Sequence, residues 1–578
     1  MNTPRRIVLI GLAVLLIAGC YQVLSAVMPA SSPVLAALVS APTVVTQATA
    51  QPTAAGAAAS TGAITGTATV QPTPKPGASI PVTGGIPLKD ALPSLSPQDV
   101  WQNFYNITQV PRPSGHMDQI RTFLVNFGKG LNLDTTVDEA GNVLIRKPAS
   151  KGMENHAGVV LQAHMDMVAQ KTADKDFDFL TDPIQAYVAG DWVHADDTTL
   201  GADDGIGIAV IMAMLQRKDL VAPAIDALFT VDEETTMSGM NGLGSEELHG
   251  SDYVNIDSEV EGQFTIGSAG GMTVESSLAY QGDTGGPINV ATAYYTVTVT
   301  GLTGGHSGLD INKGRGNATK LLVRLLWPAG TMYGVGLVSL QGGTASNAIP
   351  REANAVVVVS VDQAQWFGDY LKQFETTMRQ ELAATEPNLA AKFITATLPG
   401  IPEVMTPASQ QRVLDALYAN PQGVLRMSDS VPGLVETSNN LGVVTTQNGF
   451  VQATNLARSS VDSELTDAGV MVMSDWDLAG GQYAVTDQYL GWDPNPNSPL
   501  LALFEQTYKQ LYGVDASYVA LHAGLECGTV AGKYPQMDLI SIGPTLVDVH
   551  SPTERLQVST VPKVVDLLVG VLGQIPAK

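Results

Sequence analysis

Five short segments of the sequence combine histidines and acidic residues in patterns that could bind metal ions. In chain order they contain His164 and Asp166, Asp203 and Asp204, Asp232-Glu233-Glu234, Asp257 and Glu259, and His550. Each segment alone has an ordinary explanation, such as a strand end, a helix cap, a solvated acidic loop or a structural histidine. Together they supply imidazole and carboxylate groups, which are the ligands that Zn²⁺ and related divalent ions prefer. Two close ions that share a carboxylate can polarise a carbonyl group and activate water, and an unligated glutamate could accept the proton, so the pattern predicts metal-assisted hydrolysis.

The elements before these segments read as strands that would bring them together. Buried strands are predicted at 159–164, 227–230, 253–256 and 538–542, and an apolar helix at 206–215. This alternation indicates an α/β sheet with helices on its faces. Functional groups in such sheets collect beyond the carboxyl ends of the strands, which is where the acidic and histidine residues occur.

The pattern changes between about residues 275 and 480. Strands are predicted at 294–300 and 356–361, with helices at 316–327 and 364–385. We therefore predict an inserted α+β domain at 275–480. The catalytic α/β domain, a mixed sheet flanked by helices, would then consist of residues 96–274 and 481–578.

The amino terminus has the pattern of an export signal. Two arginines precede the apolar run 7–17, and the following small residues lead to Cys20, which resembles a bacterial lipobox. The alternative is an uncleaved membrane anchor. Residues 21–95 are rich in Ala, Thr and Pro, so they predict a disordered tether. Both interpretations predict an extracytoplasmic protein tethered to a membrane, with 1–20 as its signal.

Composition narrows the class of protein. The 578 residues carry a formal net charge of −25 at pH 7, which argues against binding to nucleic acid because its phosphates would be repelled. The two cysteines are Cys20 and Cys527. If the first carries lipid, no disulfide can form within the chain, and Cys527 is interpreted as a small buried residue.

Eight motifs resemble those of the bacterial Xaa-His dipeptidases, also called aminoacyl-histidine or beta-alanyl-histidine dipeptidases. They lie at 162–168, 199–205, 232–234, 255–259, 304–308, 342–352, 522–528 and 541–545. The family belongs to the co-catalytic zinc metallopeptidases, and the resemblance covers residues 96–578. It implies a zinc-exopeptidase-like catalytic domain with an inserted lid.

The resemblance also implies a role for each residue of the metal site. One ion would be bound by His164 and Asp257, the other by Glu234 and His550, with Asp203 bridging the two. Asp166 would orient His164, and Glu233 would be the general base that activates the metal-bridging water. Two divalent ions are implied, with Zn²⁺ expected and Mn²⁺ or Co²⁺ as alternatives.

The inserted domain would close over the substrate and form a homodimer. In the family pattern His306 would stabilise the oxyanion from the partner subunit. Asn347 and Arg458 would hold the carboxylate of the substrate, although a surface ion pair is an equal alternative for Arg458.

The function implied is hydrolysis of dipeptides, including Xaa-His. One alternative is a relative that acts on N-acyl amino acids or as a carboxypeptidase. Another is a peptide-binding lipoprotein without catalysis, which the presence of Glu233 beside a complete ligand set argues against.

Overall fold

The computed structural model describes residues 85–283, 291–398 and 400–578. The strands are β1 (Ile86–Pro87), β2 (Asp134–Val137), β3 (Val143–Lys147), β4 (Val159–His164), β5 (Ala186–Ala189), β6 (Trp192–Ala195), β7 (Ile225–Thr230), β8 (Asp252–Asn255), β9 (Gln263–Ser268), β10 (Gly270–Ala279), β11 (Gly282–Asp283), β12 (Thr292–Thr300), β13 (Gly305–His306), β14 (Gly336–Gly342), β15 (Ala348–Ile349), β16 (Ala353–Ser360), β17 (Ala390–Thr395), β18 (Val404–Met405), β19 (Gly423–Met427), β20 (Val435–Gln447), β21 (Phe450–Ser459), β22 (Gln482–Tyr489), β23 (Ser517–Leu521), β24 (Asp538–Ser541), β25 (Leu546–Val547) and β26 (Arg555–Gln557).

The helices are α1 (Leu88–Ala91), α2 (Gln98–Thr108), α3 (Asp118–Gly130), α4 (Ala202–Gln216), α5 (Ser238–Gly242), α6 (Ala318–Tyr333), α7 (Val361–Glu381), α8 (Pro407–Ala419), α9 (Asp462–Leu478), α10 (Pro499–Tyr512), α11 (Glu526–Lys533) and α12 (Val561–Leu572).

The first sheet is mixed and has the order β2-β3-β7-β4-β8-β24-β9-β23. Strands β7, β4, β8 and β24 lie side by side in this order and run parallel to one another, so their carboxyl ends meet at one edge. Helix α4 packs on β4 and against α2. Its residues 205–215 are all buried, as expected for a helix that is apolar on every side. This sheet and its helices form the larger hydrophobic core.

The second sheet is antiparallel, with the order β17-β12-β16-β14-β20-β21-β10-β22 and with β19 beside β20. Helices α6, α7 and α9 pack against it around a separate core. The predicted α/β fold with an inserted second region is therefore confirmed. Strands β10 and β22 extend this second sheet to residues 270 and 489, and the domain boundaries at 275 and 480 stay a prediction.

Ordered structure begins earlier than the sequence indicated. Residues 85–95 belong to the predicted disordered tether, but Leu88 and Leu92 are buried in the larger core. The spacing of four residues places both leucines on one face of a helical turn, and the surrounding prolines concealed that signal. The prediction of a disordered tether is therefore wrong for residues 85–95.

The described part of the chain contains no helix long and apolar enough to span a bilayer. The predicted signal or anchor at 1–20, with Cys20, lies outside the described residues. The tether as far as residue 84 also lies outside them.

Candidate functional site

Three neighbouring parallel strands deliver acidic and histidine side chains to one edge of the first sheet. His164 is the last residue of β4, Glu234 follows β7, and Asp257 follows β8. Asp203 lies at the start of α4, and His550 lies in the loop between β25 and β26. The structure therefore brings together all five residues that were predicted as metal ligands.

The carboxylate of Asp203 lies between the two histidines. Its Oδ1 atom is 3.0 Å from Nε2 of His164, and its Oδ2 atom is 3.0 Å from Nε2 of His550. Nε2 of His164 is also 3.6 Å from Oδ1 of Asp257, and Nε2 of His550 is 2.9 Å from Oε1 of Glu234. One shared carboxylate thus separates two similar sets, each with one imidazole and one further carboxylate.

The electrostatic potential at this edge favours positive charge. Burial alone would lower the pKa of His164, but hydrogen bonds to carboxylates, with Asp166 first among them, outweigh burial and raise this pKa well above its usual value. Hydrogen bonds to Asp203 and Glu234 raise the pKa of His550 to about 11. The protonated imidazoles supply positive charge at a place where the carboxylates would otherwise attract metal cations.

The carboxylates repel one another at the same edge. Burial, with the charge of Asp257 and Glu234 added, raises the pKa of Glu233 well above its usual value. Burial also raises the pKa of Asp257 to about 7. So many buried acids in one place need a compensating positive charge to ionise together.

Asp166 supports two parts of the site through one carboxylate. Its Oδ1 atom is 3.3 Å from Nδ1 of His164 and accepts a hydrogen bond from the backbone N–H of Glu233 at 3.0 Å. Its Oδ2 atom accepts from the N–H of Glu234 at 3.3 Å and from the hydroxyl of Ser114 at 2.8 Å. The sequence indicated the contact with His164 but gave no sign of the backbone contacts.

Asp204 caps the helix that follows Asp203. Its Oδ1 atom accepts the N–H of Gly207 at 3.1 Å, and its Oδ2 atom accepts the N–H of His164 at 3.2 Å. The ordinary explanation of this segment as a helix cap therefore holds for Asp204. Asp203 is left to face the histidines.

Two buried charged residues near the site had no signal in the sequence. Arg112 is 3% exposed and donates to the carbonyl oxygens of Met165 and Asp166 at 3.0 and 2.6 Å. Glu554 is 2% exposed and accepts backbone N–H groups from residues 200–203. Arginine and glutamate are usually exposed, and bonds to backbone groups leave no pattern of residue types.

The side chains at this edge fit divalent cations. Ligand atoms of His164, Asp204 and Asp257 lie within 4.8 Å of one another, and so do those of His164, Asp203 and Glu234. Imidazole nitrogen and carboxylate oxygen are suitable donors for Zn²⁺ and similar ions. The surplus of buried carboxylates and the shared position of Asp203 both suit a pair of cations.

The three predicted substrate-binding residues form a second group. His306 in β13 pairs with Ala348 in β15, and the N–H of Ser307 donates to the carbonyl oxygen of Asn347 at 2.8 Å. Nε of Arg458 is 3.3 Å from the hydroxyl oxygen of Ser307. The side chain of Asn347 is exposed on its loop.

Arg458 is buried and lacks an acidic partner. It is 4% exposed, and Nη1 donates to the hydroxyl oxygen of Tyr489 at 2.9 Å. Among the described residues, no carboxylate lies within ion-pair distance of it. A surface ion pair, the alternative drawn from the sequence, does not describe Arg458.

Two imidazoles beside Arg458 are held neutral. Burial and the charge of Arg458 lower the pKa of His306 to about 4, and the same causes lower the pKa of His522 to about 3. Nδ1 of His306 accepts the N–H groups of Gly308 and Leu309 at 3.2 and 3.1 Å. The proton of the neutral ring therefore lies on Nε2, which is free to donate.

In the described part of the chain, the two groups make no direct polar contact with each other. In residues 85–283, 291–398 and 400–578, no hydrogen bond or ion pair joins a predicted metal ligand to His306, Asn347 or Arg458. We call the five predicted ligands the metal-side group (His164, Asp203, Glu234, Asp257 and His550). We call His306, Asn347 and Arg458 the substrate-side group.

Comparison with known proteins agrees with this geometry. The chain matches the model of peptidase family M20/M25/M40 over residues 160–574. It is 40% identical over 487 residues to the cytosol non-specific dipeptidase of Escherichia coli (strain K12), covering 84% of this chain and 99% of that protein. The crystal structure of the aminoacylhistidine dipeptidase from Vibrio alginolyticus matches with a TM-score of 0.78 and 40% identity, covering 84% of this chain and 98% of that chain. The predicted resemblance to aminoacyl-histidine dipeptidases is confirmed.

The predicted extracytoplasmic, membrane-tethered location is wrong by the same comparison. The Escherichia coli relative, which matches most of this chain, is named a cytosolic enzyme. The prediction depended on residues 1–20 and the tether. A short apolar run before a cysteine is a pattern of composition, and by itself it is weak evidence for export. Lipoprotein, signal peptide and membrane anchor have no support in the comparisons.

The match over residues 160–574 includes every predicted metal ligand and all strands of the second sheet. On this evidence the chain belongs to peptidase family M20/M25/M40.

Proposed function

We propose that this chain is a metal-dependent dipeptidase that hydrolyses the peptide bond of dipeptides, including Xaa-His. The observation that carries the proposal is the Asp203 carboxylate, whose two oxygens each face a different histidine. The names of the Escherichia coli and Vibrio alginolyticus relatives support dipeptides as the substrate class. Neither name favours N-acyl amino acids.

Members of the family bind two divalent metal ions. In this chain His164 and Asp257 would hold one ion, Glu234 and His550 would hold the other, and Asp203 would bridge them. Bound ions would polarise the carbonyl group of the substrate and lower the pKa of water. We propose Zn²⁺, with Mn²⁺ or Co²⁺ as alternatives.

Glu233 is the proposed general base. Its backbone is fixed by Asp166, and burial raises its pKa well above the usual value. A carboxylate with a raised pKa accepts a proton from attacking water and returns it to the leaving amine. Two positive ions beside it would bring that pKa down toward the working pH.

The substrate-side group would bind the charged end of the dipeptide and the developing oxyanion. Arg458 is buried without an acidic partner, so a substrate carboxylate would complete its charge. Asn347 would add a hydrogen bond to that carboxylate. Nε2–H of the neutral His306 would stabilise the oxyanion.

We further propose a homodimer formed through the lid, residues 275–480, with His306 acting in the active site of the partner subunit. The described residues show no hydrogen bond or ion pair between the two groups, and a second copy that brought them together would complete the site. The proposed division has a catalytic part at 96–274 and 481–578 and a lid at 275–480. In that division β10 and β22 would be the two connections to the lid.

The test is restoration of activity by metal. The full chain is treated with a chelator, and release of histidine from Ala-His and β-Ala-His is measured with and without added Zn²⁺, Mn²⁺ or Co²⁺. We expect cleavage only after metal is added. Tight binding of dipeptide without cleavage under any metal would favour a binding protein, and cleavage of N-acetyl amino acids alone would favour the N-acyl hydrolase.

A further inference from the structure

The turn that carries Asp203 is held by the side chain of a distant glutamate. Glu554 accepts four backbone N–H groups, from Leu200 at 2.8 Å, Gly201 at 3.0 Å, Ala202 at 2.8 Å and Asp203 at 3.3 Å. Each carboxylate oxygen accepts two of them. A buried carboxylate that accepts several backbone N–H groups is a geometrically demanding contact.

Glu554 also belongs to the segment that carries His550. Only three residues separate the two, and the N–H of Glu554 donates to the carbonyl oxygen of Ser551 at 3.0 Å. The carboxylate therefore joins the turn of Asp203 to the loop of His550. The side chains of Asp203 and His550 themselves lie 3.0 Å apart, between Oδ2 and Nε2.

Arg112 makes the corresponding link on the other side of the turn. Its guanidinium donates to the carbonyl oxygens of Met165 and Asp166, directly after His164, and to that of Gly201. Gly201 has a φ of 65°. A Cβ atom on Gly201 would lie 2.8 Å from Nη2 of Arg112, so only glycine leaves room for this approach.

We propose that Arg112 and Glu554 are positioning residues that together hold the three ligand segments of His164, Asp203 and His550 in register, an inference that rests on the proposed metal-dependent function. Neither side chain belongs to the predicted ligands. Both bind the backbone of the same turn, since Arg112 donates to the carbonyl oxygen of Gly201 and Glu554 accepts its N–H. Replacing a side chain that orients a metal ligand typically lowers metal affinity by about tenfold to a hundredfold.

The experiment is a Co²⁺ titration of metal-free wild type and Glu554→Gln, followed by the visible absorption of the bound ion. Glutamine keeps the size of the side chain but has one acceptor oxygen, and its NH₂ group would face N–H donors. We expect Co²⁺ affinity to fall about tenfold or more, with a changed absorption band. If the variant does not give folded metal-free protein by circular dichroism, Glu554→Asp, which keeps the charge on a shorter side chain, is titrated with the same expectation.

The matched control is Asp538→Asn. Asp538 also accepts a backbone N–H, from Leu500 at 3.0 Å, and the hydroxyl of Ser498 at 2.7 Å, at the start of α10. It should lower thermal stability and leave Co²⁺ affinity and spectrum as in wild type. Equal affinity and spectrum in wild type and the Glu554 variant, with only a loss of stability, would overturn the positioning role alone. A wild-type chain that takes up no Co²⁺ would overturn this inference together with the proposed function.

Discussion

The histidines of the metal-side group and those beside Arg458 lie in opposite electrostatic surroundings. The carboxylates around His550 raise its pKa to about 11, whereas burial and Arg458 lower the pKa of His522 to about 3. The same side chain is thus driven toward the charged form in one group and the neutral form in the other. The difference indicates that the edge of the first sheet is suited to cations and the region around Arg458 to an anion.

The largest effect that would test this contrast is expected at Glu233. Glu233→Gln removes the proton acceptor and leaves the predicted ligands in place, so kcat should fall by about 10² to 10⁴ while two metal ions remain bound. Steady-state kinetics and metal analysis measure both quantities. Glu261→Gln, at a carboxylate that contacts Tyr508 and Lys563 away from the site, is the control. Near-normal turnover in the Glu233 variant would reject its role as the base.

A smaller effect is expected on the anion side. Arg458→Met keeps an apolar stem and removes the charge, so the loss of a charged hydrogen bond should lower kcat/KM by about tenfold to a hundredfold, mainly through KM. Arg324→Met is the control, because Arg324 is exposed and pairs with Glu381. An unchanged KM for a dipeptide would show that the free charge of Arg458 does not face the substrate.

The dependence of the free energy of unfolding on pH below pH 7 should show whether His522 is neutral in the folded chain. His522 has a folded pKa of about 3, below the value of about 6.5 for a free imidazole. Between these values the unfolded chain binds a proton that the folded chain does not, so the free energy of unfolding rises with pH and falls as the solution is acidified. Between pH 7 and pH 5, the free energy of unfolding should therefore fall by about 2 kcal/mol less in His522→Asn than in wild type.

Urea unfolding at the two pH values measures this difference. His116→Asn, at an exposed histidine, is the control. A pH dependence that is the same in wild type and His522→Asn would contradict a neutral His522 in the folded chain.

The smallest effect should come from the support of the metal side. Ser114→Ala removes one of the hydrogen bonds to Asp166, which keeps its backbone contacts with residues 233–234. A loss of about 1 kcal/mol is expected, seen as a several-fold decrease in kcat. Ser559→Ala removes a comparable hydroxyl bond to Asp191 on the surface and should leave kcat unchanged. A decrease as large as that of Glu233→Gln would mean that Ser114 contacts the reacting groups.

The sequence predicted those parts of the molecule that depend on strand ends. His164, Glu234 and Asp257 follow apolar runs that form parallel strands, and the edge where such strands end is fixed by the sheet itself. Arg112 and Glu554 could not be found in this way, because they bind backbone groups whose positions exist only in the folded chain. The prediction of an extracytoplasmic location was wrong for a different reason, because it depended on residues 1–20 and not on the fold.

The carboxylate of Asp166 contacts both a metal ligand and the backbone of the proposed base, and this has a practical consequence for engineering. A variant that binds metal but does not cut substrate would be useful for trapping complexes, and Asp166 is the wrong place to obtain one. Because the same carboxylate contacts His164 and the backbone of Glu233, asparagine there would disturb ion binding and proton transfer together. Inactive traps should therefore be built at the side chain of Glu233, where the two properties can be separated.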